Sequence, residues 1–222
     1  MSLESHTQQL TQSLAQANLS PGLLPFLPPD FKPTSQLHVS FNDKPVSLGN
    51  LFRASECKTA PTVSFSKEEN DPPSSTSYTL LLVDPDAPTP DDPKFAFWRH
   101  WVASGLKAEQ ANGGTSLTEY LGPGPKDDSR PHRYLFLLFR EPEGFALAKE
   151  DVGGEEFTAR RSFKVAEWVE RHELELVGVN WMLGLGMGGK SEPGRLFAWG
   201  WLNVVVICME KRHFSKLVDC VV

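Results

Sequence analysis

Six short runs of apolar or alternating residues, at 36–41, 60–65, 78–84, 98–104, 132–140 and 174–182, are separated by segments rich in Pro, Gly, Asn and Asp. Runs of this length, bounded by residues that stop helices and turn the chain, read as strands. Their spacing predicts a mainly β fold, an antiparallel β-sandwich with a few peripheral helices. Helical periodicity appears in two places. Phe163, Ala166 and Val169, flanked by Val165 and Trp168, recur at helical spacing within 160–172, which predicts an amphipathic helix over a sheet edge or end. Near the start, Leu3, Leu10, Leu14 and Ala17 share one helical face, with Ser5-His6-Thr7-Gln8 as a candidate capping box. A helix with such a stripe is expected to pack on the domain.

With 222 residues, 40% hydrophobic and 23% charged, the chain can bury one sizeable core without a disulfide or metal staple. A net charge of −6 argues against a duplex nucleic-acid binder, which needs clustered Lys and Arg against the phosphates. It also disfavours adhesion to an anionic membrane. Cys57, Cys208 and Cys220 are odd in number and lack C-x-x-C spacing, so neither a disulfide framework nor a zinc site is indicated. A reducing, cytoplasmic setting is expected, with a vacuolar or peripheral-membrane location as the alternative. The first eighteen residues lack an apolar core behind a basic start, so a signal peptide is not expected.

The chain divides on composition into an N-terminal helical arm (1–19), a β domain (20–183) and an atypical tail (184–222). The tail opens with a Gly-rich stretch, 184–189, and continues into the apolar run 196–209. That run falls short of the ~20 residues a spanning helix needs, so no transmembrane segment is expected. An added strand, an interfacial anchor using Trp199 and Trp201, and a segment foreign to the native fold all stay open.

Chemistry concentrates in two stretches: Asp84-Pro85-Asp86-Ala87-Pro88, with His100-Trp101 downstream, and Pro131-His132-Arg133-Tyr134. Both border strongly apolar strands and both carry prolines that stiffen the backbone. Rigid walls with converging polar groups describe a ligand pocket. Taken singly, each stretch has an ordinary reading. Asp-Pro-Asp is an Asx turn, a strand His is commonly a core residue with a backbone partner, and Arg133 suits a carboxylate. The conjunction favours a pocket in which His100, His132 and Tyr134 donate to an anion, while Asp84 favours protonated imidazoles or is itself protonated.

The pair of stretches resembles the phosphatidylethanolamine-binding protein family, whose two signature segments are D-P-D-A-P…H-W and G-x-x-P…H-R-Y. Asp84 to His100 and Gly122 to His132 match that family's spacing, and the resemblance covers about 20–183, with a flavour of the fungal branch, which includes an inhibitor of a serine carboxypeptidase. The resemblance implies that Asp84, His100, His132 and Tyr134 line a ligand pocket walled by Ala87, Pro88, Trp98, Gly124 and Pro125. It makes Ala87-Pro88 a candidate cis peptide. Two departures bear on the pocket entrance. Thr89-Pro90 stands where the family commonly has Ser-Arg, and Pro125-Lys126-Asp127-Asp128 replaces P-P-x-G.

The resemblance further implies a regulatory binding module for a phospholipid head group or other small anion, with a serine carboxypeptidase or a kinase as protein partner and no cofactor. Two alternatives stay open: an isomerase or lyase using Asp84, His100 and His132 for proton transfer, and a structural subunit of a larger assembly. Against an enzyme, the sequence has no G-x-S-x-G, no Cys placed beside the histidines and no H-E-x-x-H.

Overall fold

The structure is a computed structural model that describes residues 2–188 except 23, 69, 71, 111 and 112. The chain separates into two compact units, Met1–Gly189 and Lys190–Val222, and every described residue lies in the first. The apolar run 196–209 falls outside the described residues.

Among the described residues, nine strands form two open sheets. In chain order they are β1 (Leu37–Phe41), β2 (Lys44–Pro45), β3 (Leu51–Arg53), β4 (Thr62–Phe65), β5 (Tyr78–Asp84), β6 (Trp98–Leu106), β7 (Thr115–Thr118), β8 (His132–Arg140) and β9 (Glu175–Leu185). A three-stranded sheet has the order β2-β1-β4, and a six-stranded sheet the order β3-β9-β8-β5-β6-β7. Pairing is antiparallel except between β3 and β9, which run parallel, Leu51 opposite Leu183. Three α-helices, α1 (Leu3–Gln16), α2 (Lys149–Val152) and α3 (Val165–Arg171), and one 3-10 helix (Ala54–Cys57) complete the described elements. No helix among the described residues is long and apolar enough to cross a membrane.

The continuous apolar character of β5 and β8 follows from cover on both faces. Side chains alternate across a strand. Leu81 and Val83 of β5, with Leu135, Leu137 and Phe139 of β8, enter one core cluster together with Leu10 and Leu14 of α1 and Trp168 of α3. Leu80, Leu82, Phe136 and Leu138 enter a second, shared with Leu37, Val39 and Phe41 of the small sheet. A central strand buried on both sides needs apolar residues at every position, which hides its period in the sequence.

All six expected runs form strands (β1, β4, β5, β6, β8 and β9), whereas β2, β3 and β7 fall outside them, and the differences at strand ends have local causes. The run at 60–65 becomes a strand only at Thr62, because Pro61 has no N–H for the ladder. The helix expected from residue 160 begins at Val165. Its first turn is diverted: the amides of Ser162 and Phe163 donate to the carbonyls of Phe95 and Phe97, and Ser162 sits at φ 51. At the N-terminus the cap is Ser2, whose hydroxyl accepts from the Ser5 amide at 3.3 Å, so Ser5 lies inside the first turn and heads no capping box. Helix α1 is packed on the domain through Leu10 and Leu14, and the Trp181 indole of β9 donates to Ser13 Oγ at 3.1 Å.

Candidate functional site

Asp84 ends β5, and its neighbours on either side bring the rest of the site to the same end of the large sheet. On β6, Trp98 lies opposite Asp84. On β8, Val83 faces Leu135, which sets Tyr134 and His132 beside the Asp84 terminus. His132 and Tyr134 are two residues apart and so share a face. His100 reaches that face by a different device. Leu82 pairs with Trp101 and Val83 with Arg99, which leaves His100 as the extra residue of a bulge. Bulges re-aim side chains in this way beside functional sites.

The four side chains that the sequence singles out therefore meet. His132 Nδ1 lies 2.8 Å from Asp84 Oδ2, and His100 Nε2 lies 4.0 Å from the same oxygen. The Tyr134 ring stacks on His132, centroids 6.3 Å apart, and meets His100 edge-on at 5.2 Å. All four are nearly closed to solvent: Asp84 is 3% exposed, His100 5%, His132 3% and Tyr134 1%. Two surface hollows lie elsewhere, one between α1 and Leu48 and one on the small sheet, and neither includes these residues.

Partners fix the tautomers. His100 Nδ1 is 2.6 Å from the Leu121 carbonyl and must donate, which leaves Nε2 as the atom facing Asp84. His132 Nδ1 donates to the Asp84 carboxylate, and its Nε2 lies 3.1 Å from Ser129 Oγ. Burial, outweighing the Asp84 charge, holds the His100 imidazole below its usual pKa, so the resting ring is neutral at neutral pH. The Tyr134 phenol is held well above its usual range, first by burial, then by the charges of Asp84 and Asp86 and a hydrogen bond to Asp84. It remains a donor at any physiological pH.

Neighbouring segments hold the cluster in place. Asp84 Oδ1 accepts from the Asp86 amide at 2.6 Å, so the Asx turn and the site are one structure. Leu121, whose carbonyl orients His100, returns its own amide to the His100 carbonyl at 2.9 Å. Its flanks are anchored on Cys57: the Tyr120 hydroxyl donates to the Cys57 carbonyl at 2.8 Å, and a Cβ at Gly122 would fall 2.4 Å from that oxygen. Arg160 Nη1 donates to the His100 carbonyl at 3.0 Å.

The expected wall residues are more varied. Ala87 and Trp98 are buried, the Ala87-Pro88 peptide is cis, and Pro125 is buried. Gly124 is exposed, with open space where a Cβ would stand. Lys126 is exposed. Where Thr89-Pro90 removes a cation from the first loop, Arg130 supplies one from the second, binding Asp91 through Nη2 at 2.5 Å. Arg133 pairs with Asp86, which is 1% exposed, by two side-chain bonds of 2.9 and 2.6 Å.

Three contributors were not singled out by the sequence. Leu121 acts through its carbonyl, and any residue there offers one. Gly184 lies at the end of β9, and a Cβ there would fall 2.5 Å from the Tyr134 ring. Ser129 reaches His132 across a turn closed by its amide on the Lys126 carbonyl at 3.0 Å. Among the described residues, no group of three or more His, Cys, Asp and Glu is arranged to hold a metal.

A buried Asp–His–His–Tyr cluster thus lies at one end of the central sheet of a mainly β, two-sheet protein, beside two proline-stiffened segments. Residues 29–182 match the family model for phosphatidylethanolamine-binding protein, and the chain belongs to that family. It is 29% identical to the carboxypeptidase Y inhibitor of Saccharomyces cerevisiae over 185 residues, covering 68% of this chain and 84% of that one. Its fold matches the crystal structure of carboxypeptidase Y inhibitor complexed with the cognate proteinase, with a TM-score of 0.69 and 25% identity over 81% of this chain and 96% of the other. It also matches the fold of the phosphatidylethanolamine-binding protein from Plasmodium vivax, with a TM-score of 0.64 and 24% identity over 79% and 97% of the two chains.

Proposed function

We propose that this protein is a regulatory binding module whose site, formed by Asp84, His100, His132 and Tyr134, takes a small anionic group such as a phosphate or a phospholipid head group, and whose protein partner is a serine carboxypeptidase that it inhibits. The observation that carries the binding reading is the convergence of two imidazoles and a phenol on one buried carboxylate. An anion that enters brings charge that favours the imidazolium form of His100, whose Nε2 then becomes a donor. In a nearly dry site each such charge-assisted bond is stronger than in water. The walls named from the resemblance, Ala87, Pro88, Trp98, Gly124 and Pro125, belong to this proposal.

The inhibitor reading is supported by similarity that spans most of the carboxypeptidase Y inhibitor. Two assays test the function. Thermal melting in phosphate, phosphoethanolamine and acetate should show a melting temperature rising with log concentration above the dissociation constant; a flat response to all three refutes the anion site. Titration of the protein into a serine carboxypeptidase assay should give saturable inhibition, and full residual activity at excess protein refutes the inhibitor role.

A further inference from the structure

Both ring nitrogens of His132 have protein partners, and the proposed binding role gives no part to Ser129. His132 Nε2 meets Ser129 Oγ at 3.1 Å, while Nδ1 meets Asp84 Oδ2 at 2.8 Å and Asp84 Oδ1 is pinned by the Asp86 amide at 2.6 Å. A hydroxyl on a base, the base on a carboxylate and the carboxylate held by a third group is the relation that activates a serine nucleophile. We infer that Ser129 is an activated nucleophile, and that the protein transfers acyl groups from small esters to Ser129 and then to water.

Each member meets the geometric requirement. Ser129 is half-buried on the turn 126–129, beside exposed Lys126, Asp127 and Asp128, so a substrate can reach Oγ, whereas the base and its orienting carboxylate are shielded from water. The Nδ1 proton of His132 is held by Asp84, which forces Nε2 of the neutral ring to be the acceptor. The Ser129 hydroxyl has one proton and two acceptors in reach, His132 Nε2 at 3.1 Å and the Arg130 carbonyl at 2.9 Å. Rotation about one side-chain torsion moves that proton from the backbone to the base.

The chemistry balances without a further reagent. Oγ attacks the ester carbonyl carbon as its proton passes to His132 Nε2. The tetrahedral species collapses, the C–O bond to the alcohol breaks, and His132 returns the proton to the departing alkoxide. Water then attacks the Ser129 ester with His132 again as base, releasing the carboxylic acid and restoring the hydroxyl. Ser129 and His132 are catalytic residues; Asp84 is a positioning residue.

The inference rests on the same cluster that the binding proposal reads as a ligand site. The test uses the full chain, a fluorophosphonate probe and p-nitrophenyl acetate. Peptide mass spectrometry should place the phosphonyl group on Ser129, and both labelling and ester hydrolysis should be lost in Ser129→Ala and fall about a hundredfold in His132→Gln. Asp84→Asn should lower kcat with KM unchanged. Absence of labelling, labelling at another residue, or hydrolysis that persists in Ser129→Ala overturns the inference. A protein that gains stability from phosphate but resists the probe overturns the nucleophile alone; one that is labelled at Ser129 but ignores phosphate overturns the anion site alone.

Discussion

Arg133 joins the buried carboxylate of Asp86 to Ala17, the C-cap residue of α1. It binds Asp86 through Nε and Nη2, at 2.9 and 2.6 Å, and donates from Nη1 to the Ala17 carbonyl at 2.8 Å. His132 and Tyr134 face the cluster while Arg133, between them, points to the opposite face, where α1 packs. One strand end therefore carries the candidate site on one side and the anchor of the N-terminal helix on the other.

Removing Arg133 strands a carboxylate that is 1% exposed. Arg133→Met should cost about 3–5 kcal/mol, the usual penalty for breaking a buried ion pair from one side. The double variant Arg133→Met with Asp86→Asn should recover part of that loss. Chemical denaturation of the three proteins measures it, and an Arg133→Met cost near zero would show the pair to be solvated.

Deletion of residues 2–18 removes Leu10 and Leu14 from the main core cluster and takes the acceptor from Arg133 Nη1. Each fully buried leucine contributes about 2 kcal/mol, so the truncated protein should melt well below the full chain. If the helix also contacts a carboxypeptidase, inhibition falls even at a temperature where the truncated protein is folded. A truncated protein of unchanged melting temperature would place the helix outside the stabilising core.

His100 and His6 are both held below their usual pKa, chiefly by burial. For such groups the unfolded chain binds the proton and the folded chain resists it. Their effect is nil above the unfolded value near 6.5, and stability is lost as pH falls below it, by up to about 1.4 kcal/mol per pH unit for each group. An anion at His100 opposes this by favouring the imidazolium, so binding takes up a proton and tightens as pH falls. Sulfate, whose charge is constant over this range, isolates the effect: its dissociation constant should fall between pH 7.5 and 6. A constant or rising value would show that His100 does not touch the anion.

Gly184→Ala places a Cβ 2.5 Å from the Tyr134 ring, closer than side-chain atoms approach. Tyr134 must shift, at a cost of about 1–3 kcal/mol typical of overpacking. Phosphate-dependent stabilisation should weaken with it. Unchanged melting and phosphate response in the variant would mean that the position of Tyr134 matters to neither.

Much of this was legible in the sequence, and the limits have physical causes. The long strands announced themselves as apolar runs, and both site segments lie beside them. Strand β3 has three residues and β2 two, too few for a period. The parallel pairing of β3 with β9 depends on contacts across the fold that no local pattern encodes. Asp84, His100, His132 and Tyr134 stand out in the sequence as residue types in two proline-stiffened segments, and the structure brings them together. The bulge that turns His100 inward and the turn that carries Ser129 to His132 were hidden, because both are matters of register. Gly184 reads as part of a Gly-rich stretch after the last strand, yet it lies inside β9, one residue before its end, and gives Tyr134 its room.

The central claim is that one anion engages both imidazoles. Nitrogen-15 spectra of the histidine side chains during a phosphate titration address it directly. The ring nitrogens of His100 and His132 should shift together, saturate at one concentration and lose the response in Tyr134→Phe in proportion to its weaker affinity. Imidazole signals that stay fixed while phosphate saturates the protein would contradict the claim.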